Sequence, residues 1–138
     1  MRAAFPVALE GAFTAGNNLY LVFENAADVE DIKPDIAKII PLSNHGVGIT
    51  AQGDMARVDG YDCVSRFFVP AEGIDEDPVT GSAHAAIGPY WAARLGKTKL
   101  KAYQASARGG ILWLDVGEER LTISGHAVTY MKAEITGL

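Results

Sequence analysis

The 138-residue sequence has a single cysteine, Cys63, and no apolar run near the roughly 20 residues needed to span a bilayer. One cysteine excludes an internal disulfide and is compatible with a reducing compartment. Pro6 and Glu10 interrupt the apolar N-terminal stretch, so no secretory signal is predicted. Basic residues are scattered rather than clustered, which argues against nucleic-acid binding, and no His, Cys and carboxylate spacing indicates a metal site. We therefore expect a cytoplasmic protein without nucleic-acid, membrane or metal partners.

What the sequence does contain is typical of a globular domain. It is 49% hydrophobic and 21% charged, with a net charge of -5, and its length is sufficient for one buried core. The 15 glycines indicate many turns. No repeat, low-complexity tract or linker divides the chain, so residues 1–138 are predicted to form a single domain.

Short runs rich in β-branched and aromatic residues predict a mostly antiparallel sheet and an α+β fold. The predicted strands are residues 5–11, 18–24, 46–53, 61–69, 99–105, 110–116, 120–125 and 127–135. Residues 26–40 predict a loop and a short helix, because Ile36, Ile39 and Ile40 fall on one side and Pro41 follows.

The second predicted helix, Ser82 to Leu95, is apolar on every side. Arg94 is its only charged side chain, and Gly96 is a suitable C-terminal stop. A helix without a polar face is expected to be buried on all sides, so strands should wrap around it. Its aromatic residues, together with those of the neighbouring strands, are predicted to be core: Tyr90, Trp91 and Trp113.

A polar turn precedes this helix. Thr80 or Ser82 can cap the helix, and Gly81 allows the backbone to turn closely enough to expose amides. A helix start carries free N–H donors and a partial positive charge, which suit a carboxylate or phosphate. Asp77, followed by the rigid Pro78, is expected near these donors. The alternative is that Asp77 and Thr80 only cap the helix.

The stretch "EDPVTGSAHAAIGPYWAARLGK" resembles the phenazine-biosynthesis PhzF-like family, whose relatives include diaminopimelate epimerase. The resemblance continues through "YDCVSRFFVPAEGI", "YQASARGGILWLDV" and "LTISGHAV". It implies an antiparallel roll of strands around a central buried helix. Members of the family contain two such halves with the active site in the cleft between them, and this chain resembles the second half. The chain is therefore expected to be equivalent to the C-terminal domain of the family.

The resemblance also implies a site. Asp77 corresponds to the motif aspartate, which is expected to contact the substrate as the catalytic carboxylate of this half. Residues carried over as substrate-binding are Asn18, Thr80, Gly81, Ser82 and Ala83. The family's acid–base glutamate belongs to the first half, and no residue here replaces it. The chain is thus expected to need a second half, supplied by a partner chain or by a second copy in a homodimer.

Two further side chains leave alternatives open. His84, near the helix start, is a candidate catalytic acid or base, or a residue that lines the cleft or packs. Arg108 lies in a predicted hairpin turn and is either a substrate-binding cation or a solvated arginine. Glu76 is expected to be a solvated acid like its neighbours, although it is also the only other acid that could enter the cleft.

These features predict an isomerase or epimerase domain that transfers a proton on a small carboxylate substrate without a cofactor. Such chemistry needs an acid or base in a closed cleft and amides that stabilise the developing negative charge. The alternative is a non-catalytic module, a separate half that binds a small acid or only folds.

Overall fold

The computed structural model of the chain describes residues 4–56 and 60–136. Within these residues, seven strands form one sheet whose spatial order follows the order along the chain. The strands are β1 (Leu9–Ala15), β2 (Asn18–Phe23), β3 (Val47–Gln52), β4 (Cys63–Phe68), β5 (Lys99–Gln104), β6 (Gly110–Val116) and β7 (Leu121–Gly125).

Four of the six strand pairs are antiparallel, and the pairs β2/β3 and β4/β5 are parallel. A parallel pair needs a crossover connection, and the helices lie in these two connections. The helices α1 (Ala26–Asp31) and α2 (Ile36–Ile39) join β2 to β3, and α3 (Gly81–Leu95) lies between β4 and β5. The predicted α+β class with mostly antiparallel strands is confirmed, and α1 is an additional helix.

The central strands β2, β3 and β4 are buried on both faces, and successive side chains of each strand point to opposite sides of the sheet. In β2, Tyr20 and Val22 face the cluster that packs around α3. Leu21 and Phe23 face a second cluster, which includes residues of α1 and α2. The sheet therefore separates the long helix from the two short ones.

The prediction that α3 is buried on all sides is wrong for this chain. Trp91 is buried, but Ala85, Pro89 and Ala93 are exposed along one face of the helix. The sheet is open, with β1 and β7 as its edges, so no described strand covers this face. The predicted end of the helix is confirmed, because Gly96 has a left-handed φ of 63° and its N–H bonds the Ala92 carbonyl.

Both ends of the predicted strand order need correction. β1 runs to Ala15 rather than ending at Gly11, because the turn at Gly16 (φ 57°) pairs Ala15 with Asn18. At the other end, residues 127–135 form no strand, although the outer side of β7 is unpaired within the described chain.

One residue that was predicted to be core is exposed. Trp113 is 40% exposed, because it points to the outer face of β6 while Leu112 and Leu114 point inwards.

Within residues 4–56 and 60–136, no helix is both long enough and apolar enough to cross a membrane.

Candidate functional site

The predicted site residues gather at one end of the sheet, which we call the site end. The Asp77 amide donates to the Phe67 carbonyl at 2.9 Å, which fixes the polar loop to the end of β4. The Ser106 hydroxyl donates to the Pro78 carbonyl at 2.7 Å, which fixes the turn after β5 to the same loop. The loop that starts α3 and the turn that carries Arg108 therefore lie side by side.

Asp77 has one engaged and one open carboxylate oxygen. The Thr80 hydroxyl donates to Oδ2 of Asp77 at 2.6 Å. No residue of the described chain donates a hydrogen bond to Oδ1, and Asp77 is half-buried. One oxygen is thus held in place while the other is available as an acceptor or base.

The start of α3 is open. Thr80 occupies the N-cap position, yet neither its hydroxyl nor another described side chain caps the helix amides. Gly81 and Ser82 are exposed at this end, whereas Ala83 is buried against the sheet. The first amides of a helix lack intrahelical partners and lie at its positive end. The interpretation of Asp77 and Thr80 as mere caps is not supported, since the Thr80 hydroxyl bonds Asp77 instead.

A residue that the sequence analysis did not single out, Gln104, holds this loop from behind. It is 0% exposed at the end of β5. Its Oε1 accepts from the Thr80 amide at 2.7 Å, and its Nε2 donates to the Asp77 carbonyl at 2.7 Å and to Thr80 Oγ1 at 3.2 Å. The available signal was a glutamine at an inward position of β5, two and four residues after the buried Ala102 and Leu100.

His84 is also fully buried and lies beneath the loop. Nδ1 donates to the Thr80 carbonyl at 2.8 Å, and with that tautomer Nε2 accepts from the Ser65 hydroxyl at 3.2 Å. Burial lowers the pKa of His84, and the bond to the carbonyl opposes this shift only in part. A neutral imidazole with both nitrogens engaged favours the packing alternative over a role as general acid or base.

Asn18 lies at the start of β2, at the site end, where its Oδ1 is 2.8 Å from Nδ1 of His45. It borders an open groove of about 350 Å³ that also includes Thr14, Leu42 and Ser43. No hydrogen bond between described residues joins Asn18 to Asp77. The structure therefore places Asn18 at the same end but not within the network around Asp77.

Arg108 and Glu76 have different surroundings. Arg108 is exposed on the turn after β5. Glu76 forms a two-pronged ion pair with Arg66, with distances of 2.7 and 2.9 Å, and its side chain is only 20% exposed. The expectation that Glu76 is a solvated acid is wrong, because both of its carboxylate oxygens are engaged by Arg66.

Cys63 lies at the start of β4, at the opposite end of the sheet from Asp77. Burial raises its pKa to about 12, with a smaller contribution from the neighbouring Asp62. A thiol of this kind is not a nucleophile or a base near neutral pH. Among residues 4–56 and 60–136, no group of three His, Cys, Asp or Glu side chains is arranged to hold a metal ion.

The arrangement at the site end is a carboxylate with one open oxygen beside the open, positive end of a helix. The family model described as phenazine biosynthesis-like protein matches residues 3–133, so the chain belongs to the PhzC-PhzF family. The resemblance described above is thereby confirmed.

Individual relatives agree with this assignment. The chain is 47% identical over 119 residues to an uncharacterized isomerase of Pseudomonas aeruginosa. The alignment covers 86% of this chain and 44% of that protein. It is 34% identical over 118 residues to a human phenazine biosynthesis-like domain-containing protein, and this alignment covers 81% of this chain and 41% of that protein. The crystal structure of a PhzF family protein from Enterococcus faecalis matches with a TM-score of 0.78 at 40% identity, covering 91% of this chain and 48% of that one. The chain thus spans less than half the length of the relatives it matches.

Proposed function

We propose that this chain is the carboxylate-binding half of a PhzF-like isomerase that moves a proton on a small acid without a cofactor. The observation that carries the proposal is the open start of α3 beside Asp77, whose Oδ1 is unengaged within the described chain. The amides of Gly81, Ser82 and Ala83 would hold the substrate carboxylate, and Asp77 would contact the reacting part of the substrate. The relative named as an isomerase supports this class of reaction.

The same site suggests roles for the other candidates. Exposed Arg108 would supply a cation at the rim, and Asn18 would line the far side of the cleft. His84 would act by holding the Thr80 carbonyl rather than by touching the substrate. These assignments give the negative charge of a small acid three kinds of partner: amides, a guanidinium and a side-chain amide.

A second half is part of the proposal. Asp77, Gly81 and Ser82 are open to solvent on this chain, whereas proton transfer at carbon requires a dry cleft and an opposing acid or base. We propose that this chain corresponds to the C-terminal domain of a two-half protein and that the opposing half covers the exposed face of α3 and completes the roll. If no other chain supplies the opposing half, a second copy of this chain, related by a two-fold axis, would take its place. The single buried cysteine is consistent with a cytoplasmic setting.

The test is exchange of carbon-bound hydrogen in D2O. The protein is incubated with a panel of small acids that carry an acidic C–H beside a carbonyl or an amine, and loss of the C–H signal is followed by NMR. Exchange that disappears in Asp77→Asn supports the isomerase. Carboxylate binding without exchange for any acid would support the non-catalytic module, and sedimentation of the same samples shows whether exchange requires a dimer.

A further inference from the structure

The orientation of the Gln104 side-chain amide is determined by its main-chain partners. The Thr80 N–H can only donate, so the atom 2.7 Å away must be the oxygen of Gln104. The Asp77 carbonyl can only accept, so the atom 2.7 Å from it must be the nitrogen. One amide group therefore links the two ends of the four-residue turn from Asp77 to Thr80.

The second donor of the same nitrogen extends this link to the carboxylate. Nε2 of Gln104 points at Thr80 Oγ1, 3.2 Å away, and the hydroxyl directs its own hydrogen to Oδ2 of Asp77 at 2.6 Å. The hydroxyl is thereby oriented away from the helix amides and towards the carboxylate. Gln104 also accepts from the Thr80 amide, so the amides that stay open are those of the following residues.

Neighbouring strands and the loop enclose the Gln104 side chain. In the sheet, Gln104 lies between Ser65 and Gly110 in register, and its side chain is 0% exposed. A Cβ at Gly110 would overlap the Val79 side chain, so the glycine allows the turn to lie directly over the ends of β5 and β6. From the helix side, His84 bonds both Ser65 and the Thr80 carbonyl.

We propose that Gln104 is a positioning residue of the site: by clamping Asp77 and Thr80 it selects the carboxylate oxygen and the helix amides that are presented to the ligand. The inference rests on the proposed function in that the ligand is a carboxylate. It does not require that the carboxylate be turned over. Gln104 acts through Asp77 and Thr80 and has no contact with the ligand of its own.

Three variants test the clamp. Gln104→Met keeps the approximate length of the side chain and removes all three hydrogen bonds. Gln104→Glu is isosteric, and its carboxyl reproduces both main-chain bonds only while protonated, because the ionised form cannot donate to the Asp77 carbonyl. Thr50→Val is the matched control, since Thr50 is equally buried and bonds the Val64 carbonyl and the Trp91 indole away from the site.

The readouts are amide hydrogen exchange at Thr80, the amide chemical shifts of residues 77–83, and the affinity for acetate measured from the shifts of Gly81 and Ser82. In Gln104→Met we expect exchange at Thr80 to be faster and acetate binding to be weaker, each by about tenfold or more, as for loss of a buried hydrogen-bond partner. In Thr50→Val all three readouts should match the wild type even where the variant is less stable.

The pH profile of Gln104→Glu separates positioning from packing. Two titratable residues belong to the same network, Asp77, whose backbone carbonyl accepts from Gln104, and His84, which bonds the Thr80 carbonyl, so the wild type is measured at every pH for comparison. At low pH the protonated carboxyl should give wild-type shifts for residues 77–83. As the introduced carboxyl ionises, above its reference pKa of about 4.3 because burial favours the neutral form, the shifts should depart from those of the wild type.

Two results would overturn the inference. One is a Gln104→Met variant with wild-type exchange at Thr80 and wild-type acetate affinity. The other is a Gln104→Glu variant whose loop shifts follow the wild type at all pH values. Failure of the proposed function has a different signature: the wild type itself shows no acetate-dependent shifts at Gly81 and Ser82 and no exchange of carbon-bound hydrogen, while Thr80 exchange and the loop shifts still decide the role of Gln104.

Discussion

Two aspartates at opposite ends of the sheet have different surroundings, one typical of a structural residue and the other of the proposed site. Asp62 is 6% exposed, and both of its oxygens are engaged, Oδ1 by Lys97 Nζ at 2.5 Å and Oδ2 by the Lys101 amide at 2.9 Å. Asp77 is half-buried and has one oxygen engaged by Thr80 and one open within the described chain. A satisfied carboxylate joins elements, whereas a half-satisfied one at a surface is available to a ligand.

The two ends of α3 differ in the same way. At the C-terminus, Gly96 turns the chain and donates to the Ala92 carbonyl, and Lys97 connects this end to Asp62. At the N-terminus, the side chain best placed to cap the helix, Thr80, bonds Asp77 instead. The fold thus closes one end of its longest helix and leaves the positive end unused, which is where an anion gains most.

The largest expected effect comes from removing the two carboxylates in turn. Asp62→Ala should lower the free energy of unfolding by about 2 kcal/mol, because a buried charge-assisted network is lost. Asp77→Ala should cost less than about 1 kcal/mol, since the group is half-exposed and already half-satisfied. Urea unfolding followed by circular dichroism measures both, and equal losses would remove the distinction between the two aspartates.

The next largest effect on the free energy of unfolding is expected where the loop before α3 packs closely on β6. Gly110→Ala should destabilise the chain by about 1.5 kcal/mol because the added methyl overlaps the Val79 side chain. Val79→Ala in the same chain should restore part of the loss. A double-mutant cycle on unfolding free energies measures the coupling, and strictly additive losses would show that the loop does not lie over β6 as described.

The buried imidazole at the site end makes stability depend on pH. The pKa of His84 is lowered from 6.5 in the folded chain, so between these values the unfolded state binds more protons. The contribution of neutral His84 is fully present above pH 6.5 and is lost as pH falls from there through the lowered folded pKa, at most about 1.4 kcal/mol per pH unit. Urea unfolding of His84→Gln should show a flatter pH dependence over this window, and an unchanged slope would contradict the assignment.

The smallest effect on stability is expected at the rim. Arg108 is exposed on the turn after β5, so Arg108→Ala should change the unfolding free energy by less than about 0.5 kcal/mol. Acetate affinity should nevertheless fall, because a cation near the helix start is removed. Lys99→Ala, an exposed cation at the other end of the sheet, is the control and should leave acetate affinity unchanged. The role of Arg108 would be rejected if the two variants had equal affinities.

Secondary-structure elements that depend on local residue patterns could be predicted from the sequence. Six of the eight predicted strands overlap closely with observed ones, and the helix start behind Asp77 and the stop at Gly96 lie as predicted. Residues 127–135 have a strand-like pattern but form no strand, and a local pattern does not show whether a segment pairs with the sheet. The exposed face of α3 escaped prediction for the same reason, because the apolar surface of Ala85, Pro89 and Ala93 looks the same whether or not something covers it.

The proposed site could be identified from the sequence, but its supporting network could not. The turn from Asp77 to Ser82 was recognisable because its chemistry lies within six consecutive residues. Gln104 reaches this turn only through the register of β5 against its neighbours β4 and β6, which no local pattern specifies. Glu76 was misjudged because its partner, Arg66, lies ten residues earlier on a different element.

The measurement that tests the central claim most directly is an acetate titration of the uniformly labelled chain, followed through every backbone amide by NMR. The account predicts saturable shifts centred on Thr80, Gly81 and Ser82, and their loss in Gln104→Met but not in an Asp62→Ala variant that remains folded. Shifts centred instead on Lys97 to Lys101, or shifts at the start of α3 that persist unchanged in Gln104→Met, would contradict the assignment of the site end as the carboxylate-binding surface.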